Sequence, residues 1–388
     1  MSRNQLQTET NYTSLARQVA YTAIISLAFG LLSSSIIDAF LKKWSGTAFN
    51  AEIPYSFEKT LAYEVPRPYA YRVLFPWMVN TTAEFLPSNF VLSPPPEMLR
   101  RGVEYYIGEQ EAKKLPVVLQ LKFVIAALWM FVFLFGALWL YRTIAIRALH
   151  IDRANADLAT LLFGLFLPLS FRGGGGFIYD FSELFFSAAY VSALVSGQYF
   201  WSATILFGAI VNKESNLLLL LYLIAHLLTN GRSVKNGWYR FLGHSISAAI
   251  PYLLIKLAMA DKPGGTVEFN LLWNIDYWTK ASSFVGFMTT NLQLVLFPKP
   301  TNIAFLVVFA WFIAHHWSRK PPFVRATLVS TGLVSVVLLA IFCWHDEIRN
   351  LSLAFPAIFL AITHSFLESY RSEQNLNGQV TSPPKAVV

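Results

Sequence analysis

Long apolar runs, each close to the length of a membrane-spanning helix, constrain this chain more than any other feature. A helix that crosses a bilayer needs about 20 mainly apolar residues, with a range of about 17–25. We predict such helices near residues 18–41, 116–140, 157–171, 181–198, 241–259, 301–317, 326–343 and 350–367. Residues 72–86 and 282–297 are shorter and mixed, and we interpret them as interfacial or re-entrant helices.

The composition also indicates a polytopic membrane protein. Of the 388 residues, 55% are hydrophobic and 13% are charged, whereas soluble domains carry about 25% charged residues. The formal charge is +8, but the basic residues flank apolar segments instead of forming one patch, so we expect no nucleic-acid partner. Cys343 is the single cysteine, which excludes a disulfide framework within the chain and a Cys-x-x-Cys metal site.

Basic loops predict how the chain is oriented. Cytoplasmic loops of membrane proteins carry an excess of Lys and Arg. The loops at 141–156, 230–240 and 318–325 contain Arg142, Arg147, Arg153, Arg232, Lys235, Arg240, Arg319, Lys320 and Arg325, against one acidic residue, Asp152. We therefore expect these loops and both termini to be cytoplasmic, in a multi-pass protein of the cell inner membrane.

This orientation divides the chain into three parts. Residues 1–17 form a cytoplasmic N-terminal tail, and residues 18–368 form the transmembrane domain. The domain includes a large outer loop at 42–115 that carries interfacial helices. Residues 369–388 are polar and read as a disordered cytoplasmic tail.

Two charged residues interrupt the apolar run from Trp201 to Leu228. Within the stretch AIVNKESNLL lie Lys213 and Glu214, and a charge at the bilayer centre costs about 2.5–3.5 kcal/mol. One unbroken helix here would place the basic loops on opposite faces, whereas two short helices hinged at Asn212–Ser215 keep them on one face. We predict the hinge, which gives an all-α bundle of about 10 membrane helices. The alternative is that the two charges form an ion pair that braces the bundle.

The hinge is predicted to lie at membrane depth. A helix of about 11 residues rises only about 16 Å, and the hydrocarbon core is about 30 Å thick. Irregular backbone at that depth must be buried in protein or must line a water-filled cavity. We therefore expect a cavity, open to the outer face, that hydrates these charges.

Three more polar segments separate apolar runs on the predicted outer face: RPYAYR at 67–72, FRGGGGFIYDFSE at 171–183 and WHDEIRN at 344–350. The glycine run also fits a flexible loop, and WHDEIRN also fits a solvated turn. With the hinge, these segments supply the candidate substrate-binding residues Arg67, Arg72, Arg172, Asp180, Glu183, Lys213, Glu214, Glu347 and Arg349.

These residue types together suit a phosphate-bearing lipid. Arg recognises phosphate through paired donors, and Lys acts as a point charge. Carboxylates serve as general bases or hold a divalent cation, so the sequence leaves the cofactor open. At membrane depth, this combination predicts a site for a lipid-linked phosphate donor.

The order of the motifs resembles the bacterial multi-span branch of the C-type glycosyltransferase superfamily. A first span and a long outer loop are followed by RPYAYRVLFPWM, YDFSELFF, NKES and EIRNLSLAFPAIF. The family's Arg-Leu-Pro, Asn-Arg/Lys-Glu-Thr/Ser and Glu-x-Arg motifs correspond to Arg72 with Pro76, to Asn212–Ser215, and to Glu347 with Arg349. The resemblance implies transfer of a hexosyl or pentosyl group from a polyprenyl-phosphate donor in the cell envelope.

The same resemblance implies a catalytic carboxylate in the first outer loop. The acidic pair that is clearest in the family is missing here, and the candidates are Asp38, Glu52, Glu58 and Glu64. Glu52 ranks first and Asp38 second. Arg72 and Arg349 would bind the phosphate.

Other functions suit outer-face charges as well. A transporter or flippase also places charges at the midplane, although matching broken helices in two halves of the chain are missing from this sequence. A polymerase or ligase of surface glycan would favour a large outer loop late in the chain, and here the largest is early, at 42–115. A structural membrane partner is the remaining alternative.

Overall fold

The protein is helical throughout most of its described length. The computed structural model describes residues 3–50, 52–86, 97–170, 176–230, 234–265, 267–285, 287–289, 296–298, 302–344 and 347–380. The first half contains α1 (Arg3–Ala48), α2 (Phe57–Leu61), a 3₁₀ turn (Tyr69–Tyr71), α3 (Leu74–Glu84), α4 (Glu97–Ile107), α5 (Glu109–Lys114), α6 (Val117–Leu149), α7 (Arg153–Ser170) and α8 (Asp180–Val195).

The second half begins with α9 (Tyr199–Asn212), a 3₁₀ segment (Glu214–Leu219), α10 (Leu220–Thr229), α11 (Val234–Ala258), α12 (Leu271–Trp278) and a 3₁₀ turn (Ala281–Ser283). The strands β1 (Phe287–Thr289) and β2 (Leu296–Pro298) follow. The chain ends with α13 (Ile303–Ala314), a 3₁₀ turn (Trp317–Arg319), α14 (Pro322–Thr327), a π segment (Leu328–Gly332), α15 (Leu333–Phe342), a 3₁₀ segment (Ile348–Ala354) and α16 (Phe355–Val380).

Five helical stretches of the described residues are long and apolar enough to cross a membrane. They are Ala16–Ser45, Val117–Leu149, Gly237–Ala258, Pro322–Phe342 and Arg349–Glu373, and they support a membrane protein. The spans predicted at 157–171 and 181–198 lie in α7 and α8, which are helices of 18 and 16 residues outside this set. The larger number of about 10 membrane helices stays a prediction.

The core is built around α6 and α8. The apolar residues of α6 cover all its sides, as expected for a helix surrounded by protein and lipid, and its most extensive contact is with α8. Gly136 allows the close approach, because a Cβ there would lie 2.9 Å from the Phe185 ring. The first residues of α8, including Asp180 and Glu183, are buried, so this helix carries acidic groups into the protein interior.

A break in the helical path follows Asn212. Lys213 is extended, with φ −160° and ψ 129°, and the next helical segment starts at Glu214. The buried Asn216 amide donates to the carbonyls of Ala209, at 2.7 Å, and Lys213, at 3.1 Å. Both carbonyls also accept a backbone N–H, from Lys213 at 2.9 Å and from Asn216 at 3.1 Å. The Asn216 amide therefore adds side-chain hydrogen bonds that tie the two sides of the break together.

Side chains of α8 fix the break against the start of that helix. The Ser182 hydroxyl donates to Asn212 Oδ1 at 2.6 Å, and the Asn212 amide donates to the Tyr179 carbonyl at 3.3 Å. Asn212 and Ser182 are fully buried. The two predicted polar segments NKES and YDFSE are therefore held side by side.

One local expectation was wrong. Residues 287–289 form a strand that pairs antiparallel with 296–298, where we expected an interfacial or re-entrant helix over 282–297. Phe, Thr and similar residues favour such extended pairing. Residues 369–380 continue α16, since adding residues to an existing helix avoids the cost of nucleation, and the disordered tail predicted from 369 stays a prediction. Residues 381–388 lie outside the described residues.

Candidate functional site

A cavity of about 650 Å³ lies where residues 55–72, the start of α8, the break after α9, the α15 helix and the late polar turn meet. Its charged lining residues are Arg72, Asp180, Lys213, Glu214, Glu268, Glu347 and Arg349. Segments far apart in the sequence thus contribute to one space. All of these residues except Glu268 were sequence-predicted candidates.

Lys213 links α8 to the late turn. Its ammonium lies 2.6 Å from Glu183 Oε2 and 3.4 Å from Asn350 Oδ1. The Lys213 and Glu183 side chains are only 8% and 1% exposed. Lys213 therefore pairs with Glu183, which lies behind the cavity lining, and not with its neighbour Glu214. Loss of one partner of a buried pair leaves an uncompensated charge, which costs about 3–5 kcal/mol.

Arg349 makes a second link between the same two elements. Its guanidinium Nη2 lies 2.5 Å from Glu347 Oε1, and its Nε lies 3.4 Å from Asp180 Oδ2. Asp180 Oδ2 also accepts the Phe177 backbone N–H at 2.8 Å. Asn350 donates to Glu347 Oε2 at 3.0 Å. A continuous polar network therefore joins the late turn to the buried start of α8.

Aromatic rings surround Arg72, which directly follows the 3₁₀ turn Tyr69–Tyr71. The guanidinium lies 5.1 Å from the Tyr69 ring centre and 4.6 Å from that of Tyr179, and it donates to the Tyr179 hydroxyl. Arg349 lies 5.2 Å from the Phe177 ring centre. Such contacts attract a cation to the ring face. The buried Arg72 Nε has no hydrogen-bond partner within the described protein, so Arg72 keeps a donor available.

The residues after the break present polar atoms without partners. Glu214 Oε2 and Ser215 Oγ are buried, line the cavity and find no hydrogen-bond partner among the described residues. Leaving a buried acceptor or donor unpaired costs about 1–3 kcal/mol. These atoms therefore mark a place where water or a bound molecule completes the site.

The two predicted catalytic carboxylates lie elsewhere, Asp38 within α1 and Glu52 shortly after it. Neither Asp38 nor Glu52 lines the cavity. Asp38 is 2.8 Å from Lys42 one helical turn away and accepts the Tyr106 hydroxyl at 3.1 Å. Burial, together with the Asp38 charge, raises the pKa of Tyr106 to about 12, so the phenol keeps its proton. Glu52 is exposed, and its backbone N–H donates to Asn50 Oδ1 at 2.9 Å.

Two more predicted binding residues lie off the cavity lining or outside the described chain. Arg67 does not line the cavity, and its backbone N–H donates to the Pro263 carbonyl at 2.8 Å. Arg172 lies outside the described residues. A metal-binding group of three or more His, Cys, Asp or Glu side chains is also absent from the described part of the chain.

Sequence reasoning missed one charged lining residue and most of the apolar wall. Glu268 lies between α11 and α12, and Tyr69 donates to its Oε1 at 3.3 Å. The available signal was a carboxylate in a predicted outer loop, but its neighbours in VEFN do not single it out. Leu338, Leu339 and Phe342 of α15 line the cavity. From the sequence, their apolar run predicts a membrane span and gives no sign of a cavity wall.

No protein-family model, curated protein or solved structure matches this chain. The resemblance to the C-type glycosyltransferases therefore stays a prediction. What the cavity does must be argued from its own geometry and chemistry.

Proposed function

We propose that this protein is a membrane glycosyltransferase that moves a sugar from a polyprenyl-phosphate donor at the outer face of a cell inner membrane. One observation carries the proposal: cationic side chains from three distant segments line a single cavity that also has an apolar wall. Arg72, Lys213 and Arg349 supply the charge, and Leu338 and Leu339 belong to the wall. A lipid-linked sugar phosphate has matching anionic and apolar parts.

The phosphate of the donor would be anchored mainly by Arg72. Arg349 is already paired with Asp180 and Glu347, whereas Arg72 retains a buried donor atom without a partner. Arg is suited to phosphate because its donors form a planar fork. Donors placed where negative charge develops on a leaving group stabilise the transition state.

The size of the cavity suits the head group of such a donor. Its volume of about 650 Å³ lies within the range of about 300–1,000 Å³ that is typical of ligand pockets. Tyr55 and Tyr69 flank the polar region, with ring centres 4.9 Å apart. The polyprenyl chain would pack on α15, where Leu339 and Phe342 line the cavity.

The break at Lys213 would then be a hinge at membrane depth, within a bundle of about 10 membrane helices and with both termini cytoplasmic. The 14 residues of α9 rise about 21 Å, which is less than the hydrocarbon thickness of about 30 Å. The Asn216 hydrogen bonds to Ala209 and Lys213 support this placement, because backbone groups in a membrane interior need internal partners.

The direct test uses purified protein in lipid nanodiscs. We expect isotope-labelled undecaprenyl phosphate carrying glucose, mannose or arabinose to bind, and we expect one of these sugars to move onto a component of a membrane extract from the source cells. Arg101→Ala serves as a control for loss of positive charge, since Arg101 forms an exposed pair with Glu97. Absence of both binding and transfer across the panel would reject the proposal.

A transporter or flippase of a lipid-linked precursor is the second candidate. The buried Lys213–Glu183 pair at an interrupted helix favours it, because transporters place charged groups and broken helices at the midplane. The two functions differ in one measurable outcome. A transporter moves the labelled lipid between leaflets without changing it covalently, whereas a transferase releases polyprenyl phosphate.

A further inference from the structure

Four carboxylates among the described residues line the cavity, and they differ in what holds them. Asp180 accepts the Phe177 N–H and pairs with Arg349. Glu347 is held by Arg349 and Asn350. Glu268 is exposed and accepts the Tyr69 hydroxyl. Glu214 differs from all three, because its buried Oε2 accepts no hydrogen bond within the described protein.

The position of Glu214 keeps this oxygen available. The extended backbone at Lys213 separates the directions of the two neighbouring side chains, and the Lys213 ammonium contacts Glu183 and Asn350 instead. Glu214 also attracts Arg72 electrostatically, yet no ion pair within 4.0 Å joins these two described residues. The carboxylate therefore lies near the proposed phosphate site without a cation covering it.

A buried hydrogen-bond acceptor without a partner, such as Glu214 Oε2, is rarely kept for stability alone, since it costs about 1–3 kcal/mol. The molecule that receives the sugar, which is a sugar, lipid or protein, would donate a hydrogen bond to Glu214 Oε2 from its reacting hydroxyl. That hydrogen bond is also the starting geometry for general base catalysis, in which the base lies within hydrogen-bond reach of the proton it removes.

We propose that Glu214, and not a carboxylate of the first outer loop, is the catalytic base of the transfer; this inference rests on the proposed glycosyltransferase function. Glu214 takes the proton of the acceptor hydroxyl as the acceptor oxygen forms its bond to the anomeric carbon. The bond between that carbon and the phosphate oxygen breaks. Its electron pair leaves with polyprenyl phosphate, next to Arg72, and Glu214 then returns the proton to water.

The test compares Glu214→Gln with Glu52→Gln in the nanodisc assay with the three labelled donors. Glutamine keeps the size of the side chain but does not accept the proton. We expect transfer by Glu214→Gln to fall by about 10²–10⁴-fold, the usual contribution of a general base, while donor affinity changes by less than about tenfold. Glu52→Gln, at an exposed position away from the cavity, should retain both properties.

A conservative variant separates a base from a merely structural residue. Glu214→Asp keeps a carboxylate and should retain transfer at a lower rate, whereas Glu214→Gln, which has no carboxylate, should not.

The outcomes distinguish the base assignment from the proposed function. The assignment is overturned if the wild type transfers sugar and Glu214→Gln does so equally well. It is also overturned if Glu52→Gln abolishes transfer instead, or if Glu214→Gln loses donor binding together with activity. If the wild-type protein neither binds nor transfers any donor, both the proposed function and the assignment of Glu214 as base are rejected.

Discussion

Two buried ionic groups of the helical domain differ in a way that separates structural charges from a candidate site. In one, Asp157 accepts hydrogen bonds from Arg142 and from the Tyr21 hydroxyl. In the other, Lys213 and Arg349 pair with acidic residues of α8, and Glu214 Oε2 beside them has no partner. Only the second group lines the cavity.

A buried charge by itself is therefore weak support for function. Both groups contain ion pairs with side chains at most 15% exposed. What distinguishes the second group is the combination of an adjacent cavity with polar atoms that have no partner within the described protein. We call the residues Asp180, Glu183, Lys213, Glu214, Glu347, Arg349 and Asn350 the cavity network, and Tyr21, Arg142 and Asp157 the Asp157 triad.

The largest effect is expected from Lys213→Met. It leaves the Glu183 carboxylate buried without its cation, so the free energy of unfolding should fall by about 3–5 kcal/mol. Thermal unfolding in detergent would measure the loss. The double variant Lys213→Met with Glu183→Gln should recover much of the stability, because the uncompensated charge is gone. Equal stability of the single and double variants would contradict the pairing.

The second-largest effect is expected from Arg72→Lys, which keeps the positive charge but loses the planar guanidinium with its paired donors. We expect transfer to fall by about 10²–10³-fold, as for removal of one well-placed donor to a developing charge. Stability should change little. Arg319→Lys is the matched control, since that side chain is 60% exposed and pairs with Glu368. Similar rates for both variants would remove Arg72 from the proposed phosphate site.

A smaller effect is expected from Asn216→Leu. Leucine has a similar size but does not donate to the carbonyls of Ala209 and Lys213. Loss of these bonds should lower the free energy of unfolding by about 1–3 kcal/mol and weaken donor binding, because the break positions Glu214. Unchanged stability would show that the break does not depend on this side chain.

The smallest effect is expected in the Asp157 triad. Tyr21→Phe removes one hydrogen bond to Asp157, which should lower the free energy of unfolding by about 1 kcal/mol. Donor binding and transfer should be unaffected, because the triad does not line the cavity. A loss of transfer with normal stability would erase the distinction between the two groups.

Sequence patterns identified the cavity residues where the neighbouring residues in the chain made them unusual. Lys213 and Glu214 stand out because a charge inside an apolar run is costly, and both line the cavity with Asp180 and Arg349. Asp38 and Glu52 were chosen from the family resemblance, as carboxylates at the end of the first predicted span and in the loop that follows it. Their actual surroundings depend on contacts such as Tyr106 with Asp38, which span many residues and leave no local pattern.

In the fold, too, the sequence predicts features that depend on local composition better than contacts between separate segments. Hydrophobic runs indicate the long helices, since their length relates directly to the bilayer. The strand at 287–289 depends on pairing with residues 296–298, and Glu268 approaches Tyr69, which lies 199 positions away in the chain. Composition alone carries little information on such contacts.

We propose that the cavity network surrounds a cavity open to the outer face at membrane depth. Labelling of Ser215→Cys in a Cys343→Ser background tests it most directly, because Ser215 lines the cavity. A membrane-impermeant thiol reagent added outside should label this residue, and undecaprenyl-phosphate mannose, glucose or arabinose should protect it. Ser318→Cys, which is exposed in a predicted cytoplasmic loop, should react only from inside. Labelling of Ser215→Cys from the inside alone, or from neither side, would show that the cavity does not open to the outer face.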